Sequence, residues 1–270
     1  MNEILVNCFN DALLKSDYEK QCKFIKWQYH NKYFNKQFSI LGDSISTLAG
    51  YNPQGYKVFF DESNGEKASI HNVNDTWWGK VVDFFGGELL VNNSWSGSRV
   101  TGSGATLFPS GCSDERTSCL HINGVKPDVI IIYLGFNDWA NGVALDGTHF
   151  LEESLDLSYF VCAYNKMLEN ITSNYPNAEI WCCTLNTTYM STKLTFNFPY
   201  KHGGIHIEEY NREIKAAAIN NNCKIIDLYK YNTPYDTIDG SHPNADGMNT
   251  LATLVIKETA PNEAKGFMNC

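Results

Sequence analysis

The sequence predicts an α/β fold in which helices cover both faces of a central, mainly parallel sheet of five strands. Apolar runs of strand length recur along the chain, and helical patterns separate them. The runs are continuously apolar rather than alternating, which is typical of parallel strands buried on both faces. Regular alternation of strand and helix favours a parallel sheet with helices on both sides.

Each element can be read from its pattern. The strand-length runs occupy residues 38–41, 89–91, 129–134, 179–185 and 224–228. The helical patterns cover residues 76–85, 158–175, 207–220 and 245–258. Three turn-rich segments, 51–65, 96–111 and 187–204, are long for simple connections. Long loops in a compact α/β domain commonly form the binding surface, so we expect a site near them.

The first 37 residues have a different character, with many charged and aromatic side chains. The segment Ser16-Asp17-Tyr18-Glu19 has the form of a capping box at the start of a helix. We therefore expect residues 1–37 to form a helical extension, a pair of short helices packed on the main domain at 38–270. A structural role is favoured for this extension, and a role in partner binding or oligomerisation stays open.

Composition excludes some classes of partner. The 270-residue chain has a net charge of −9 and no basic run interleaved with aromatics, which argues against nucleic-acid binding. No stretch approaches the roughly 20 apolar residues of a membrane span. The N-terminus lacks a basic secretory signal, and nine scattered cysteines do not form a disulfide framework. We expect a cytoplasmic protein with reduced thiols and no membrane partner, of open oligomeric state.

Three short segments contain residues suited to acyl-transfer chemistry: Gly42-Asp43-Ser44-Ile45-Ser46, Gly135-Phe136-Asn137-Asp138 and Asp239-Gly240-Ser241-His242-Pro243. A serine hydroxyl is a weak nucleophile until a neighbouring base removes its proton. His242 is a candidate base because Asp239, three residues earlier, could fix its tautomer and stabilise its charged form. The sequence therefore predicts Ser44 as nucleophile, His242 as base and Asp239 as the orienting carboxylate.

The positions of these segments strengthen the prediction. Ser44 and Asn137 both follow predicted strands, and open parallel sheets bind ligands at the carboxyl ends of their strands. Each segment alone is also compatible with an ordinary turn, but three in this order are not. No His-Glu-x-x-His or Cys-x-x-Cys spacing occurs, so neither a metal nor another cofactor is expected. The absence of Gly-x-Ser-x-Gly argues against the α/β-hydrolase family.

With these motifs the chain resembles the SGNH hydrolases, the GDSL-type esterase and lipase family. Residues 42–46, 135–138 and 239–243 match three of its motif blocks, and Asn93-Ser94-Trp95-Ser96-Gly97-Ser98 fits a fourth. The resemblance covers roughly residues 38–258. It implies a three-layer α/β/α sandwich of flavodoxin-like topology. It also implies an oxyanion hole formed by the Ser44 and Gly97 backbone N–H groups and the Asn137 side-chain amide.

Candidates for substrate binding surround the motifs. Arg99 and Arg116 could clamp a carboxylate or sugar hydroxyls, or could instead pair with acidic residues to fix the loop. Trp95 and Trp139 could contact a sugar face or an acyl chain, or belong to the core. Asp43 completes this set, whereas the adjacent Trp77 and Trp78 are expected in the core.

The segment 187–204 is the candidate for a lid that determines specificity, with Phe196, Phe198, Tyr200 and His202 as its large side chains. His202 and His206 are rival bases in principle. Neither has an aspartate at the spacing that His242 has, so a catalytic role is not expected for them.

These observations predict a serine esterase that hydrolyses small or carbohydrate-linked acyl esters, most simply O-acetyl esters. Acyl transfer to a sugar hydroxyl, lysophospholipase or thioesterase activity on the same fold, and a non-catalytic carbohydrate-binding module stay open. Intact Ser44, Asn137, Asp239 and His242 argue against the non-catalytic alternative. The sequence does not specify the acyl length or the alcohol.

Overall fold

A computed structural model describes residues 3–102, 110–146, 156–193 and 201–267. The strands are β1 Gln37–Gly42, β2 Glu88–Ser94, β3 Val129–Tyr133, β4 Glu179–Cys183, β5 Thr188–Tyr189, β6 Lys201–His202, β7 Ile205–His206, β8 Lys224–Ile226 and β9 Tyr235–Asp236. The helices are α1 Glu3–His30, α2 Glu62–Ala68, α3 Trp77–Phe84, α4 Asp114–Ser118, α5 Phe136–Ala140, α6 Phe160–Asn174, α7 Ile207–Asn220, α8 Ala245–Thr259 and α9 Asn262–Lys265.

The central sheet confirms the predicted fold class. Its five strands follow the order β2-β1-β3-β4-β8, and every neighbouring pair is parallel. The chain runs from β1 to the edge strand β2 and then crosses to the other side of β1 to form β3. Right-handed crossovers in opposite directions place the connecting helices on opposite faces of the sheet. Accordingly α3 packs against α8, and α6 packs against α4 and α7.

The core is the sheet interior that the continuous apolar runs predicted. All five residues of β3 are buried, and its three isoleucines are fully inaccessible to solvent. Ile131 lies beside Trp181 of β4, and Ile40 of β1 flanks it on the other side. Burying one such isoleucine contributes about 1.5–3 kcal/mol relative to leaving it exposed. This burial holds the central strands in place, and the candidate site lies at their carboxyl ends.

The N-terminal segment differs from the expected pair of short helices. It forms one helix, α1, that begins well before Ser16 and continues past it. The local capping signal at residues 16–19 is overridden because residues 3–30 contain no glycine or proline to end a helix. Near the end of α1, the rings of Phe24 and Trp27 lie 5.4 and 5.2 Å from the ring of Phe84 in α3.

Residues 51–65 contain structure that the sequence pattern did not predict, because α2 begins there. Asp61 caps this helix by accepting a hydrogen bond from the Asn64 N–H at 2.9 Å. Within the described ranges, no helix combines the length and the apolar character that crossing a membrane requires.

Candidate active site

Ser44 lies in a tight turn directly after β1. Asp43 caps this 3₁₀ turn, and its Oδ1 accepts a hydrogen bond from the Ile45 N–H at 3.0 Å. The Thr47 hydroxyl donates to the Ser44 carbonyl oxygen at 2.9 Å. The strand-to-turn transition holds Ser44 at the carboxyl end of the sheet, where 7% of the residue is exposed.

Two buried tryptophans of α3 donate hydrogen bonds to the turn that carries Ser44. The Trp77 indole N–H donates to Ser46 Oγ at 3.2 Å, and that of Trp78 donates to the Ser46 carbonyl at 2.9 Å. Both indoles are almost completely buried, which confirms that they are core residues. Their hydrogen bonds tie α3 to the turn that carries Ser44.

His242 connects Ser44 to Asp239. Its Nε2 lies 2.9 Å from Ser44 Oγ, and its Nδ1 lies 2.7 Å from Asp239 Oδ2. These two contacts form one continuous hydrogen-bonded chain from hydroxyl to carboxylate. Ser44 and His242 are 198 residues apart in the sequence, and the fold of the parallel sheet brings them together.

The Asp239 carboxylate also organises its own loop. Oδ1 accepts hydrogen bonds from the backbone N–H groups of Ser241 and His242 at 2.9 and 2.8 Å, a local turn that aspartate favours. Gly240, between Asp239 and Ser241, has φ of +97°, a conformation in which glycine avoids strain. Partial burial would raise the pKa of Asp239, but hydrogen bonds from the His242 side chain and backbone outweigh it and lower the pKa to about 2. Asp239 is therefore charged at neutral pH.

Phe59 is a site residue that the sequence did not indicate. Its ring is stacked on the His242 imidazole, with centroids 3.4 Å apart and planes inclined by 9°. The Phe59 N–H donates to the Thr47 hydroxyl at 2.9 Å, which joins this loop to the Ser44 turn. No local motif distinguishes Phe59 from Phe60 beside it, so only the folded arrangement identifies it.

The segment after β3 brings Asn137 to the same edge. Gly135, with φ of +124°, turns the chain into α5. The Asn137 side-chain amide donates to the Ser98 carbonyl at 2.9 Å and to Asp43 Oδ2 at 3.3 Å. Gly97 precedes Ser98, is exposed and has φ of +81°. The structure therefore brings together the three segments that contain Ser44, Gly97 and Asn137.

Asp138 fixes the loop after Gly97. The carboxylate is completely buried and accepts hydrogen bonds from the Val100 N–H at 2.7 Å, the Thr101 N–H at 3.0 Å and the Thr101 hydroxyl at 2.8 Å. Burial raises the pKa of Asp138 despite these donors. This carboxylate holds the loop to the start of α5, next to Asn137.

The structure corrects the prediction of substrate contact for three side chains. Asp43, Arg116 and Trp139 are buried to within 1% of completeness, so a ligand cannot reach them. Arg116 instead donates to backbone and side-chain oxygens inside the protein, for example to Ser98 Oγ at 2.8 Å. It therefore fixes its surroundings from within rather than clamping a ligand.

Asp43 is buried beneath the site rather than facing it. Burial raises its pKa to about 7, although the hydrogen bond from the Ile45 N–H and the charge of His242 act in the opposite direction. Its carboxylate holds both the Ser44 turn and the Asn137 amide. It is therefore a structural link between the two segments.

Arg99 and Trp95 are partly exposed and stay candidates for substrate contact. The Trp95 ring is stacked on the Tyr56 ring, with centroids 4.0 Å apart. His206 caps α7, where its Nδ1 accepts a hydrogen bond from the Glu208 N–H at 3.1 Å. The proposed lid residues Phe196, Phe198 and Tyr200, and the side chain of His202, lie outside the described residues.

A serine, a histidine and an aspartate joined in this way at the carboxyl edge of a parallel α/β sheet define a class of acyl hydrolases. Residues 36–259 match the family model of the GDSL-like lipases and acylhydrolases. The chain belongs to this family, and it is a hydrolase that cleaves carboxylic esters.

Solved structures share the fold. A protein from Bacteroides ovatus described as a GDSL-like lipase is 26% identical, with a TM-score of 0.63 over 82% of this chain and 96% of its own. A similarly described protein from Bacteroides uniformis is 24% identical, with a TM-score of 0.64 over 84% and 96%. A single-residue variant of the acetyl xylan esterase Axe2 from Geobacillus stearothermophilus is 19% identical, with a TM-score of 0.53 over 84% and 95%.

A curated relative adds a sequence match. The cellulase/esterase CelE of Acetivibrio thermocellus is 24% identical over 162 residues, which is 56% of this chain. The match spans only 17% of the length of that larger protein.

Proposed function

We propose that this chain is a serine esterase that hydrolyses acyl esters of small molecules or carbohydrates, O-acetyl esters above all, through an acyl-enzyme on Ser44. The observation that carries the proposal is the hydrogen-bonded chain from Ser44 Oγ through His242 to Asp239, with contacts of 2.9 and 2.7 Å. These distances lie within the range that proton transfer between a nucleophile and its base requires.

In the first step, His242 Nε2 takes the Ser44 hydroxyl proton as Oγ attacks the ester carbonyl carbon. The carbonyl oxygen becomes an oxyanion in a tetrahedral intermediate. The intermediate collapses, the bond to the alcohol oxygen breaks, and His242 returns the proton to the departing alcohol. Water then attacks the acyl-enzyme by the same route, which releases the acid and regenerates Ser44. The charged Asp239 holds the imidazole in the required tautomer and stabilises its protonated form.

The oxyanion is held by the Ser44 and Gly97 backbone N–H groups and the Asn137 amide. This assignment is supported by the contacts of Asn137 with Ser98 and Asp43, the residues next to Gly97 and Ser44. The Asn137 amide donates to Asp43 Oδ2 at 3.3 Å, a longer hydrogen bond than the one of 2.9 Å to the Ser98 carbonyl. An oxyanion would share or replace the longer hydrogen bond. One such donor typically contributes on the order of 10²–10³ in turnover.

The alcohol part of the substrate is proposed to be polar. A groove of about 590 Å³ borders Phe59 and Asp239, two of the residues in contact with His242. Its other lining residues include Asn64, Lys67 and Thr192, side chains that suit hydroxyl groups. The acetyl xylan esterase and a family two carbohydrate esterase from Clostridium thermocellum are built on the same fold, which is consistent with a carbohydrate ester.

The proposal is tested with acetyl, butyryl and octanoyl nitrophenyl esters beside acetylated xylose. We expect turnover, with the acetyl esters preferred. Ser44→Ala should abolish activity, whereas the matched variant Ser46→Ala removes only the acceptor of the Trp77 indole and should keep most of it. Absence of turnover across the panel, or equal rates for wild type and Ser44→Ala, would overturn the proposal.

A further inference from the structure

Arg116 is a buried cation that lies among the segments of the candidate oxyanion hole. It belongs to the short helix α4, and none of its surface is exposed. Its Nε donates to Asn93 Oδ1 at 2.6 Å, and its Nη1 donates to Ser98 Oγ at 2.8 Å. Its Nη2 donates to the carbonyl oxygens of Asn93 and Gly42 at 2.7 and 3.1 Å.

The acceptors lie on the segments that would bind the oxyanion. Gly42 ends β1 two residues before Ser44, and Asn93 is the last residue but one of β2. Ser98 directly follows Gly97, and its carbonyl accepts the hydrogen bond of the Asn137 amide. One guanidinium thus connects the backbone segments of Ser44 and Gly97 and, through Ser98, the side chain of Asn137.

The chemistry of the guanidinium explains why arginine occupies this position. A planar fork offers several donors in fixed directions, whereas a lysine ammonium is a point charge on a flexible stem. Removing such a cation from water is costly unless good acceptors surround it, and here backbone and side-chain oxygens do so. Burial lowers the pKa of Arg116 to about 10, although electrostatic interactions with Tyr56, Asp43 and Glu115 raise it. The side chain therefore keeps its charge at neutral pH.

We propose that Arg116 is a positioning residue for the oxyanion hole, in which its fork holds Gly42, Asn93 and Ser98 so that the donors of Ser44, Gly97 and Asn137 converge on one point. The proposal rests on the proposed esterase mechanism. Because the donors act mainly on the transition state, disturbing their placement should lower kcat while KM changes little.

The test compares Arg116→Lys, Arg116→Met and Ser98→Ala with wild type on an acetyl nitrophenyl ester. Active sites are counted with a fluorophosphonate, and thermal unfolding is recorded for each variant. We expect kcat per active site to fall about 10- to 100-fold in both Arg116 variants, with KM within about twofold. Ser98→Ala, which removes one acceptor of the guanidinium, should lower kcat about threefold or more.

A second readout separates positioning from general stability. Phenylboronic acid forms a tetrahedral adduct with an active serine, so its inhibition constant should rise in parallel with the loss of kcat/KM. The control is Glu179→Ala, at the amino end of β4, which removes the acceptor of hydrogen bonds from Lys32, Tyr33 and Trp181. It should lower the unfolding temperature and leave kcat per active site unchanged.

A folded Arg116→Lys enzyme with wild-type kcat would overturn the proposal. If both Arg116 variants fail to fold, Ser98→Ala decides, and wild-type kcat and boronate affinity in that variant would overturn it. Failure of the esterase mechanism itself gives a different result, because wild type would then neither turn over esters nor react with the fluorophosphonate.

Discussion

The Phe59 ring lies flat on the His242 imidazole, with the two ring centroids 3.4 Å apart. The imidazole is thus fixed from three directions, by this ring, by Asp239 at Nδ1 and by Ser44 at Nε2. An aromatic face also stabilises a cation placed over it. The stack therefore orients the proposed base and would favour the imidazolium that the proposed mechanism requires.

Replacing Phe59 should impair catalysis without unfolding the loop. Phe59→Leu removes the aromatic face but keeps the backbone hydrogen bond to Thr47. We expect kcat on an acetyl ester to fall about tenfold, because the imidazole loses its fixed orientation. The matched variant Phe59→Tyr retains the ring and should stay close to wild type. Equal kcat for the leucine and tyrosine variants would show that the stack has no catalytic role.

Asp239→Asn should reduce kcat on the order of 10³-fold, since an amide cannot stabilise the imidazolium and can favour the wrong tautomer. The pKa of Asp239 is about 2, so the carboxylate stays charged under ordinary assay conditions. The variant therefore replaces a charged group, and kcat is compared with wild type at neutral pH. Asp128→Asn, directly before the amino end of β3, is the control and should keep wild-type kcat. An Asp239→Asn enzyme within about threefold of wild type would remove Asp239 from the mechanism.

Asn137→Ala should lower kcat about 10²–10³-fold with little change in KM, because the amide would stabilise the oxyanion and not the ground state. Asn141→Ala provides a control directly after α5. Within the described residues, the Asn141 side chain makes one hydrogen bond, which it donates to the Asn137 carbonyl at 2.6 Å. The kcat values of the two variants, measured by steady-state kinetics, should therefore differ by about 10²–10³-fold. Comparable activities would contradict the assignment.

Asp43 should make the stability of the protein fall as pH rises. Burial raises its pKa in the folded protein to about 7 from an ordinary value of 3.8, so the folded state keeps a proton that the unfolded chain has lost between these values. Unfolding is therefore favoured progressively as pH rises through this window, and the effect levels off above it. Each unit of difference between the folded and unfolded pKa values changes the free energy of unfolding by about 1.4 kcal/mol.

Urea unfolding of wild type and Asp43→Asn at about pH 5 and about pH 8 measures this contribution. From about pH 5 to about pH 8, the free energy of unfolding of wild type should fall by at least about 1 kcal/mol more than that of the variant. Comparing the two proteins removes the contribution of the other titrating groups. Identical pH dependence in both would exclude a raised pKa at Asp43.

The parts of the site that local sequence specifies were predictable. Ser44 and Asn137 follow apolar strands, and the carboxyl ends of parallel strands meet at one edge of the sheet. Asp239 and His242 lie in one short turn, so their contact needs only local geometry. Fold class followed from the same patterns, because strands buried on both faces are apolar throughout.

The remaining features depend on contacts between distant residues. The sequence offers Arg116 as a ligand clamp or as a partner of acidic residues that fixes its loop. Its burial was not predictable because charged residues are seldom fully buried, and its acceptor Gly42 lies 74 residues away. Phe59 meets His242 only after the sheet has formed. The prediction of two short helices in place of α1 was wrong for a different reason. Helix propensity across residues 3–30 outweighed the single capping signal at Ser16.

The most direct test of the account is to trap the acyl-enzyme. The protein is mixed with an acetyl nitrophenyl ester and quenched in acid within the first turnovers, and the modified peptide is identified by mass spectrometry. We expect one acetyl group per chain on Ser44, a burst of nitrophenol of equal size, and neither signal in Ser44→Ala. A wild-type enzyme that hydrolyses the ester while its acetyl group appears on another residue, or while Ser44→Ala retains the burst, would contradict it.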